Sequence, residues 1–390
     1  MQIDVEQYPE AARGTSTAAS AGPALLEALL AEAVLLEASH LHVDPGAARM
    51  EISFRSSGLI HPFREMARAQ GELLVQQIAT GAGLDAASLL PQRGELHWRG
   101  EQIEVFLLPV VRGQRVVLRR TPRQGGHREL EALGMSPVLA SETRAVLGGS
   151  GLVLVAAPPG HGRSTTLQAL LALAVTRTRP GLAVATGGMP ESIGVTWADA
   201  SIVAPAETLR AGIEQDFDVL MLDSLADRAA AAAAVQAVQA GRLVLAGIEA
   251  GDAVAAIQQM RSWRVEAFHL ASALSLVLAQ RLVRRLCPTC REPVQATGSV
   301  SALLGFDPGA IVYASTGCSA CEGTGFDGKT GVFEAIRGDA TIRRLVNDGG
   351  DAAILARHAF ISTPNLGSAA RGLARTGVTT PEEAVRISRG

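Results

Sequence analysis

One stretch, residues 151–174 with the sequence GLVLVAAPPGHGRSTTLQALLALA, constrains the fold of this chain more than any other. An apolar run of strand length leads into a glycine-rich turn, and a run of helix formers follows. This order of strand, turn and helix is typical of a phosphate-binding loop, where backbone N–H groups at a helix start face an anion. VLMLD and RLVLAGI predict two further buried strands on either side of an alanine-rich helix, so we expect an α/β fold with a parallel sheet.

The loop matches the phosphate-loop pattern G-x-x-x-x-G-K-[ST] only in part. Gly162 and Ser164 are present, whereas Ala157 replaces the first glycine and Arg163 replaces the lysine. Arginine keeps the charge, but its planar guanidinium is bulkier than an ammonium group, so we expect weaker nucleotide binding. The alternative is a glycine-rich turn that holds no ligand. The candidate nucleotide-binding residues are Gly160, Gly162, Arg163, Ser164 and Thr165.

Asp223 directly follows the apolar run from Val219 to Leu222. Phosphate-loop enzymes place a magnesium-binding aspartate at the end of such a strand, so Ser164 and Asp223 are candidate Mg²⁺ ligands. The alternative is that Asp223 only caps the end of the strand.

Four cysteines form two C-x-x-C pairs, Cys287 with Cys290 and Cys318 with Cys321. Two such pairs can supply four thiolates in a tetrahedron to Zn²⁺, and a closed four-thiolate site is structural. We therefore predict a structural zinc site that holds the segment between the pairs. The alternative is four reduced cysteines packed as small apolar residues.

Composition narrows the class of protein. The 390 residues are 47% hydrophobic and only 19% charged, with a net charge of −3, so no global basic field favours nucleic acid and we expect no nucleic-acid partner. Arg281, Arg284 and Arg285 form a local basic group that we predict on a helix before Cys287. No apolar run reaches the length of a membrane-spanning helix and the N-terminus is acidic, so we expect a cytoplasmic protein.

The pattern along the chain predicts two folded domains. Residues 1–23 are small and polar and form a flexible lead-in, and residues 24–120 form a small α+β domain. Residues 121–130 contain proline, glycine and basic side chains and form a linker. Residues 131–390 form the α/β domain, with the cysteine segment at 287–321 and terminal helices at 338–390.

Three segments in order, DFDVLMLDSLAD, AVQAVQAGRLVLAGIEAGDA and LASALSLVLAQRLVRRLCPTC, resemble the type II secretion ATPase E and type IV pilus assembly ATPase family. The resemblance implies a RecA-like phosphate-loop domain with an inserted zinc segment, preceded by the family's second N-terminal domain. It also implies a ring, usually of six subunits, that binds ATP between its two domains and acts on an inner-membrane platform protein and other assembly components. The resemblance begins at about residue 24, so we expect the family's first N-terminal domain to be missing.

The family's catalytic motifs are altered here. Its glutamate in G-E-I-R-D falls at Ser224, and a serine cannot act as that base. The histidine of T-L-H-T-N-D falls at Glu249, whose carboxylate would repel phosphate. The acidic box T-I-E-D-P falls around 185–190, where no acidic residue stands before Glu191.

The family also implies arginines in the N-terminal domain that reach the γ-phosphate. They fall at Ser53, Arg55 and Glu104, so only Arg55 is a candidate arginine finger. These losses predict a scaffold or regulatory subunit with little or no hydrolysis, working beside an active homologous ATPase. One alternative is an active motor in which Arg163 replaces the lysine and Asp223 or Glu249 acts as the base. A second is a zinc-containing adaptor that binds protein or nucleic acid.

Overall fold

The computed structural model describes residues 23–36, 38–56, 59–120, 129–186, 192–307 and 309–388. The chain divides into two compact units, Met1–Pro122 and Arg123–Gly390. The predicted lead-in up to residue 22 and residues 121–128 of the predicted linker lie outside the described residues.

The first unit contains a six-stranded antiparallel sheet with the strand order β3-β2-β1-β6-β5-β4. Apolar residues alternate with others along the strands and point toward the core, as in β1, where Leu41 and Val43 alternate with His40 and His42. Its elements are α1 (Pro23–Leu35), β1 (His40–Pro45), β2 (Arg49–Ser56), β3 (Leu59–Ala67), α2 (Arg68–Gly81), β4 (Gln92–Trp98), β5 (Glu101–Val110) and β6 (Gly113–Arg120).

The second unit is built on a seven-stranded sheet with the order β15-β12-β7-β11-β10-β8-β9. The first half of this unit contains α3 (Pro137–Leu147), β7 (Gly151–Ala156), α4 (Arg163–Ala174), β8 (Gly181–Ala185), β9 (Val195–Asp199), α5 (Pro205–Glu214), β10 (Val219–Leu225), α6 (Arg228–Gln239), β11 (Leu243–Ile248), α7 (Ala253–Ser262) and α8 (Ala267–Ala273). The second half contains β12 (Leu274–Leu286), β13 (Arg291–Gln295), α9 (Gly298–Leu304), β14 (Ile311–Ser315), β15 (Phe326–Arg337), α10 (Ala340–Asn347), α11 (Ala352–Ala359), α12 (Leu366–Arg375) and α13 (Pro381–Ser388).

Helices cover both faces of this sheet, which explains why its central strands are apolar throughout. Strand β7 is buried along its whole length between the parallel strands β11 and β12. Its side chains alternate between two cores, since Leu152 and Leu154 pack into one and Val153 and Val155 into the other. A sheet buried on both faces has no need of polar alternation. The predicted α/β fold with a parallel sheet is confirmed.

The prediction of a helix for the basic group was wrong, because Arg281, Arg284 and Arg285 lie on strand β12. Their spacing matches one face of a helix, but β12 pairs with β7 on one side and with β15 on the other. The pairing of this strand with β15 is irregular between Arg284 and Leu286. Tertiary pairing of an apolar Leu- and Val-rich run therefore decided the conformation of this segment.

Strands β12 and β15 form an antiparallel pair, and the cysteine segment is inserted between them. The inserted segment carries its own two-stranded sheet of β13 and β14 and the short helix α9. Because β12 ends one residue before Cys287, the strand that borders β7 leads directly into the cysteine segment.

Glu334 on β15 connects two helices of the second unit. Its carboxylate accepts hydrogen bonds of 2.8 Å from the backbone N–H of Ala253, at the start of α7, and of 2.8 Å from that of Leu366, at the start of α12. Only 3% of Glu334 is exposed, and this burial raises the pKa of its carboxyl group. The side chain thus satisfies two helix N-termini that have no partners within their own helices.

Candidate functional site

The predicted phosphate loop joins β7 to α4 at the carboxyl edge of the parallel sheet. Gly160 and Gly162 have φ angles of 76° and 82°, a left-handed conformation that glycine adopts without strain. Gly162 is the residue before helix α4, so the first N–H groups of that helix face the loop. The backbone N–H of Ala157 donates to the Ile248 carbonyl and ties the start of the loop to β11.

The side chain of Gln280 on β12 forms hydrogen bonds with the loop and with helix α4. Its amide nitrogen donates to the carbonyl of His161 at 2.7 Å, and its amide oxygen accepts from the Thr166 hydroxyl at 2.6 Å. Gln280 and Thr166 are 2% and 1% exposed. One buried side chain therefore links the loop to the first turn of α4, and a β-carbon at Gly162 would lie 3.1 Å from the Gln280 amide nitrogen.

His161 is a structural residue of the loop. Its Nδ1 accepts a hydrogen bond of 3.0 Å from the backbone N–H of Leu282, so the neutral ring carries its proton on Nε2. Burial lowers the pKa of His161, and the positive charges of Arg281, Arg386 and Lys329 lower it further.

Strand β10 is irregular where it carries the candidate Mg²⁺ ligand. Leu222 pairs with Ala246 and Leu225 pairs with Ile248, so Asp223 and Ser224 both lie opposite Gly247. This is a β-bulge, a feature that redirects side chains at the edges of sheets. Ser164 is exposed at the start of α4 and Asp223 is half-buried, and both lie at the carboxyl edge of the sheet. Ser164 and Asp223 thus remain the candidate Mg²⁺ ligands.

Arg163 lies beside this bulge. A β-carbon at Gly247 would lie 2.1 Å from the Asp223 carbonyl oxygen and 2.9 Å from both Cδ and Nε of Arg163. The Nε of Arg163 is buried and has no hydrogen-bond partner among the described residues. The stem of the arginine therefore passes against the backbone of Gly247, in space that any larger residue would fill.

Ser224 and Glu249 stand at the positions of the family's catalytic glutamate and histidine, and neither is arranged for catalysis in the described part of the second unit. Ser224 is half-buried in the bulge, and Glu249 is exposed after the end of β11. Asp227 and Asp252, which complete the same two motifs, cap helices α6 and α7 through hydrogen bonds of 2.8 Å and 2.7 Å. Residues 187–190 of the predicted acidic-box region, together with Glu191, lie outside the described residues.

The three arginine positions of the family belong to the first unit, whereas the phosphate loop belongs to the second. Arg55 and Ser53 lie on β2 and Glu104 on β5. Glu104 forms ion pairs with Arg93 and Arg119, so the carboxylate neutralises local arginines. Arg55 pairs in register with His40 of the neighbouring strand β1.

The structure brings the four cysteines together. Their sulfur atoms all lie within 4.8 Å of one another, with Cys287–Cys318 at 3.9 Å and Cys290–Cys321 and Cys318–Cys321 each at 3.8 Å. A tetrahedral zinc site with Zn–S bonds of about 2.3 Å has sulfur–sulfur edges of about 3.8 Å. The thiols are not joined by disulfide bonds. The observed sulfur spacing thus fits a four-thiolate metal site.

Backbone groups around the sulfurs favour thiolate ligands. Burial raises the pKa of the Cys321 thiol, but N–H donors from Cys318 and Gly325, each 3.2 Å from Sγ, outweigh it and lower that pKa to about 6. Burial, followed by contacts with the other thiols, raises the pKa of Cys290 to about 12. A cation among the sulfurs would allow all four thiols to ionise.

A parallel sheet covered by helices on both faces, with a glycine-rich loop between a buried strand and a helix N-terminus, defines the class of phosphate-loop nucleoside-triphosphate-binding folds. The sequence model of the family "Type II/IV secretion system protein" matches residues 17–386. The chain belongs to this family.

Two relatives are similar over nearly the whole chain. The type II secretion system protein E of Pseudomonas aeruginosa is 37% identical over 381 residues, which cover 94% of this chain and 75% of the relative. The type II secretion system ATPase E of Vibrio cholerae is 32% identical over 381 residues, with the same coverage. The predicted membership in the secretion ATPase E family is confirmed.

Two solved structures share the fold. The ATPase DotB of Legionella pneumophila superposes with a TM-score of 0.70 at 13% identity, covering 96% of this chain and 98% of DotB. The pilus retraction motor PilT with bound ADP gives a TM-score of 0.61 at 17% identity, covering 94% and 97%. The predicted RecA-like architecture is thus confirmed. Among the described residues, no helix has both the length and the apolar character needed to cross a membrane.

Sequence reasoning missed three residues that shape the loop, namely Gln280, His161 and Gly247. Gln280 belongs to the run AQRLVRRLCPTC, which is part of the family resemblance. The sequence therefore drew attention to this segment, but it did not reveal the hydrogen bonds of Gln280 with His161 and Thr166. Gly247 stands at the first position of the altered histidine motif. Its role depends on the conformation of Arg163, which no spacing rule supplies.

Proposed function

We propose that this chain is a nucleotide-binding subunit with impaired hydrolysis in a type II secretion or type IV pilus machine. It serves as a scaffold or regulatory subunit beside an active homologous ATPase, in a homo- or hetero-oligomeric ring. The ring lies at the cytoplasmic face of the inner membrane and contacts the platform protein. The observation that carries the proposal is that the phosphate loop, held by the hydrogen bonds of Gln280, is kept while Ser224 occupies the position of the family's glutamate.

The retained residues support nucleotide binding. Gly160 and Gly162 shape the loop, the α4 N-terminus adds positive potential, and Arg163 supplies a cation. Ser164 and Asp223 would hold Mg²⁺, which neutralises phosphate charge when it is bound. Thr165 follows Ser164 in the first turn of α4, where its backbone N–H is one of the four without a partner inside the helix.

The altered residues argue against efficient hydrolysis. Loss of a general base costs about 10²- to 10⁴-fold in rate, and Ser224 has no group that could replace a carboxylate. Glu249 places a negative charge where the family has a histidine, which disfavours an anionic transition state. Of the three arginine positions, only Arg55 retains its charge.

The four-cysteine site supports a structural role for zinc, because the sulfur spacing fits Zn²⁺ and the sulfurs leave no position for a substrate. The alternative of a nucleic-acid adaptor is disfavoured because its basic residues already have protein partners. Arg281 donates to the Gly251 carbonyl, Arg284 pairs with buried Glu383, and Arg285 pairs with Asp327.

The test is isothermal titration of the zinc-loaded protein with ATP and Mg²⁺, followed by a phosphate-release assay on the same sample. We expect binding without release, and Ser164→Ala should weaken the binding. Magnesium-dependent release that Ser164→Ala abolishes would contradict impaired hydrolysis and favour the active motor. In that case Asp223→Asn and Glu249→Gln identify which carboxylate acts as the base. Absence of both binding and release would leave only the scaffold role.

A further inference from the structure

We propose that Thr379 and Glu383 are positioning residues for nucleotide binding, which act on the phosphate loop through strand β12 and His161. The inference rests on the proposed nucleotide binding and adds residues that belong neither to the loop nor to the altered motifs. They hold the loop in the conformation that receives the phosphates of a nucleoside di- or triphosphate.

Strand β12 extends beyond its neighbour β7. It pairs with β7 only as far as Ala279, opposite Ala156 at the end of β7, and then continues to Leu286 with β15 on its other side. From Gln280 onward, the edge that faced β7 therefore has no strand partner among the described residues. The backbone N–H and carbonyl groups on this edge need other hydrogen-bond partners.

Two parts of the chain supply these partners. The phosphate loop supplies one, because the backbone N–H of Leu282 donates to Nδ1 of His161 at 3.0 Å. The others come from the segment Val378–Arg386, which we call the C-terminal segment. Arg386 donates to the Leu282 carbonyl at 2.9 Å, the Thr379 hydroxyl donates to the Arg284 carbonyl at 2.7 Å, the Arg284 N–H donates to the Glu383 carboxylate at 3.1 Å, and the Leu286 N–H donates to the Val378 carbonyl at 2.9 Å. Leu282 thus bonds to the loop through its N–H and to the C-terminal segment through its carbonyl.

The contacts of the C-terminal segment are buried and partly ionic. Thr379 is 0% exposed and Glu383 is 6% exposed. The Glu383 carboxylate also accepts hydrogen bonds from the guanidinium groups of Arg284, at 3.1 and 3.2 Å, and of Arg386, at 2.9 Å. Hydrogen bonds between ionised partners are roughly twice as strong as neutral ones. The segment therefore holds this edge of β12 as a neighbouring strand would.

The position of Leu282 matters for the loop because His161 is its anchor. His161 stands between Gly160 and Gly162, which have no side chains that could hold the loop. The ring of His161 is bound to Leu282, and its carbonyl is bound to Gln280 at 2.7 Å, so both contacts are with β12. A loop that is already fixed in its binding conformation loses less conformational entropy on binding. A shift of Leu282 should therefore weaken nucleotide binding.

The experiment compares the full wild-type chain with Thr379→Val, which keeps the shape but removes the donor to the Arg284 carbonyl, and with Glu383→Gln, which removes the charge. NMR of histidine labelled with ¹⁵N reports the hydrogen bond at Nδ1 of His161, and the signal is assigned with His161→Asn. We expect this signal to shift in both variants. We also expect the affinity for a fluorescent ATP analogue to fall at least about threefold in each, as for the loss of one hydrogen bond.

Matched controls come from the same helices. Thr376→Val removes an exposed hydroxyl that donates to the carbonyls of Gly372 and Leu373 in α12, and Glu382→Gln changes an exposed carboxylate of α13. Both should leave the His161 signal and the affinity unchanged. Glu334→Gln should lower the stability without removing a contact of this edge, so it should also leave the His161 signal in place. This variant separates positioning of the loop from general loss of stability.

An unchanged His161 signal in Thr379→Val and Glu383→Gln would overturn the inference, and so would a shifted signal with unchanged affinity. Because Thr379→Val is nearly isosteric, the test does not depend on whether Glu383→Gln folds. If the wild type binds no nucleotide, the proposed function is contradicted. The His161 signal then decides by itself whether the C-terminal segment positions the loop.

Discussion

The Thr166 hydroxyl donates a 2.6 Å hydrogen bond to the side-chain oxygen of Gln280, and both residues are almost completely buried. The two residues are 114 positions apart in the chain, so the contact joins the first turn of α4 to strand β12. Because the same amide also donates to the His161 carbonyl, it fixes the loop relative to helix α4.

Gln280→Leu removes both hydrogen bonds and leaves the Thr166 hydroxyl and the His161 carbonyl buried without partners. We expect the free energy of unfolding to fall by about 1–3 kcal/mol and nucleotide affinity to fall with it. Urea unfolding and fluorescent-nucleotide titration measure the two effects. Gln239→Leu, at the exposed end of α6, is the control, and equal behaviour of the two variants would refute the role of Gln280.

Protonation of His161 should loosen the loop at mildly acidic pH. Burial lowers the pKa of His161 below the usual histidine value of about 6.5, so the folded state binds fewer protons there than the unfolded state. The stabilisation is therefore complete above about pH 6.5 and is lost as the pH falls toward the lowered folded value. Urea unfolding at several pH values between about 5 and 7.5 measures this loss.

His161→Asn keeps a side-chain acceptor for the Leu282 N–H but does not titrate in this range. We expect its unfolding free energy to depend less on pH than that of the wild type. His97→Asn in the first unit is the control. If the wild type and His161→Asn have parallel pH profiles, the imidazole does not carry the effect.

Removal of the metal should destabilise the segment between β12 and β15. We expect one zinc per chain by elemental analysis, and Cys318→Ser should lose it because three thiolates bind less tightly than four. The melting temperature should fall by at least about 4 °C, as it should when a strong chelator is added. Ser319→Ala, at an exposed neighbouring position, should keep both metal and stability. Equal stability of the metal-free and metal-loaded wild type would rule out a structural role.

Glu334→Gln tests the link between β15 and the starts of α7 and α12. The substitution keeps the shape, but the amide has one oxygen for two N–H donors, so either Ala253 or Leu366 loses its acceptor. We expect a loss of about 1–3 kcal/mol in the free energy of unfolding, measured with urea. Glu382→Gln, on the exposed side of α13, should change it by less than about 0.5 kcal/mol. A loss at Glu334 no larger than at Glu382 would disprove the link.

Local signals in the sequence were sufficient for much of the fold. The run 151–174 predicted strand, loop and helix because an apolar strand, positive-φ glycines and a helix start follow one another without a gap. The cysteine spacing predicted the grouping of four sulfurs, since each C-x-x-C pair is a local turn. The basic run at 281–285 was assigned wrongly, because its helical spacing competed with pairing to β7 and β15, which only the folded chain contains.

In the candidate site, too, some features follow from the sequence alone and others depend on the tertiary structure. Residue identity alone determined that the chain keeps Ser164 and Asp223 and lacks the family's lysine, glutamate and histidine, because chemistry is a property of the side chain. The tertiary structure decided that Gln280 braces the loop and that Gly247 leaves room for Arg163. Both relationships join residues more than 80 positions apart, and such contacts depend on strand order and register, which local sequence patterns do not encode.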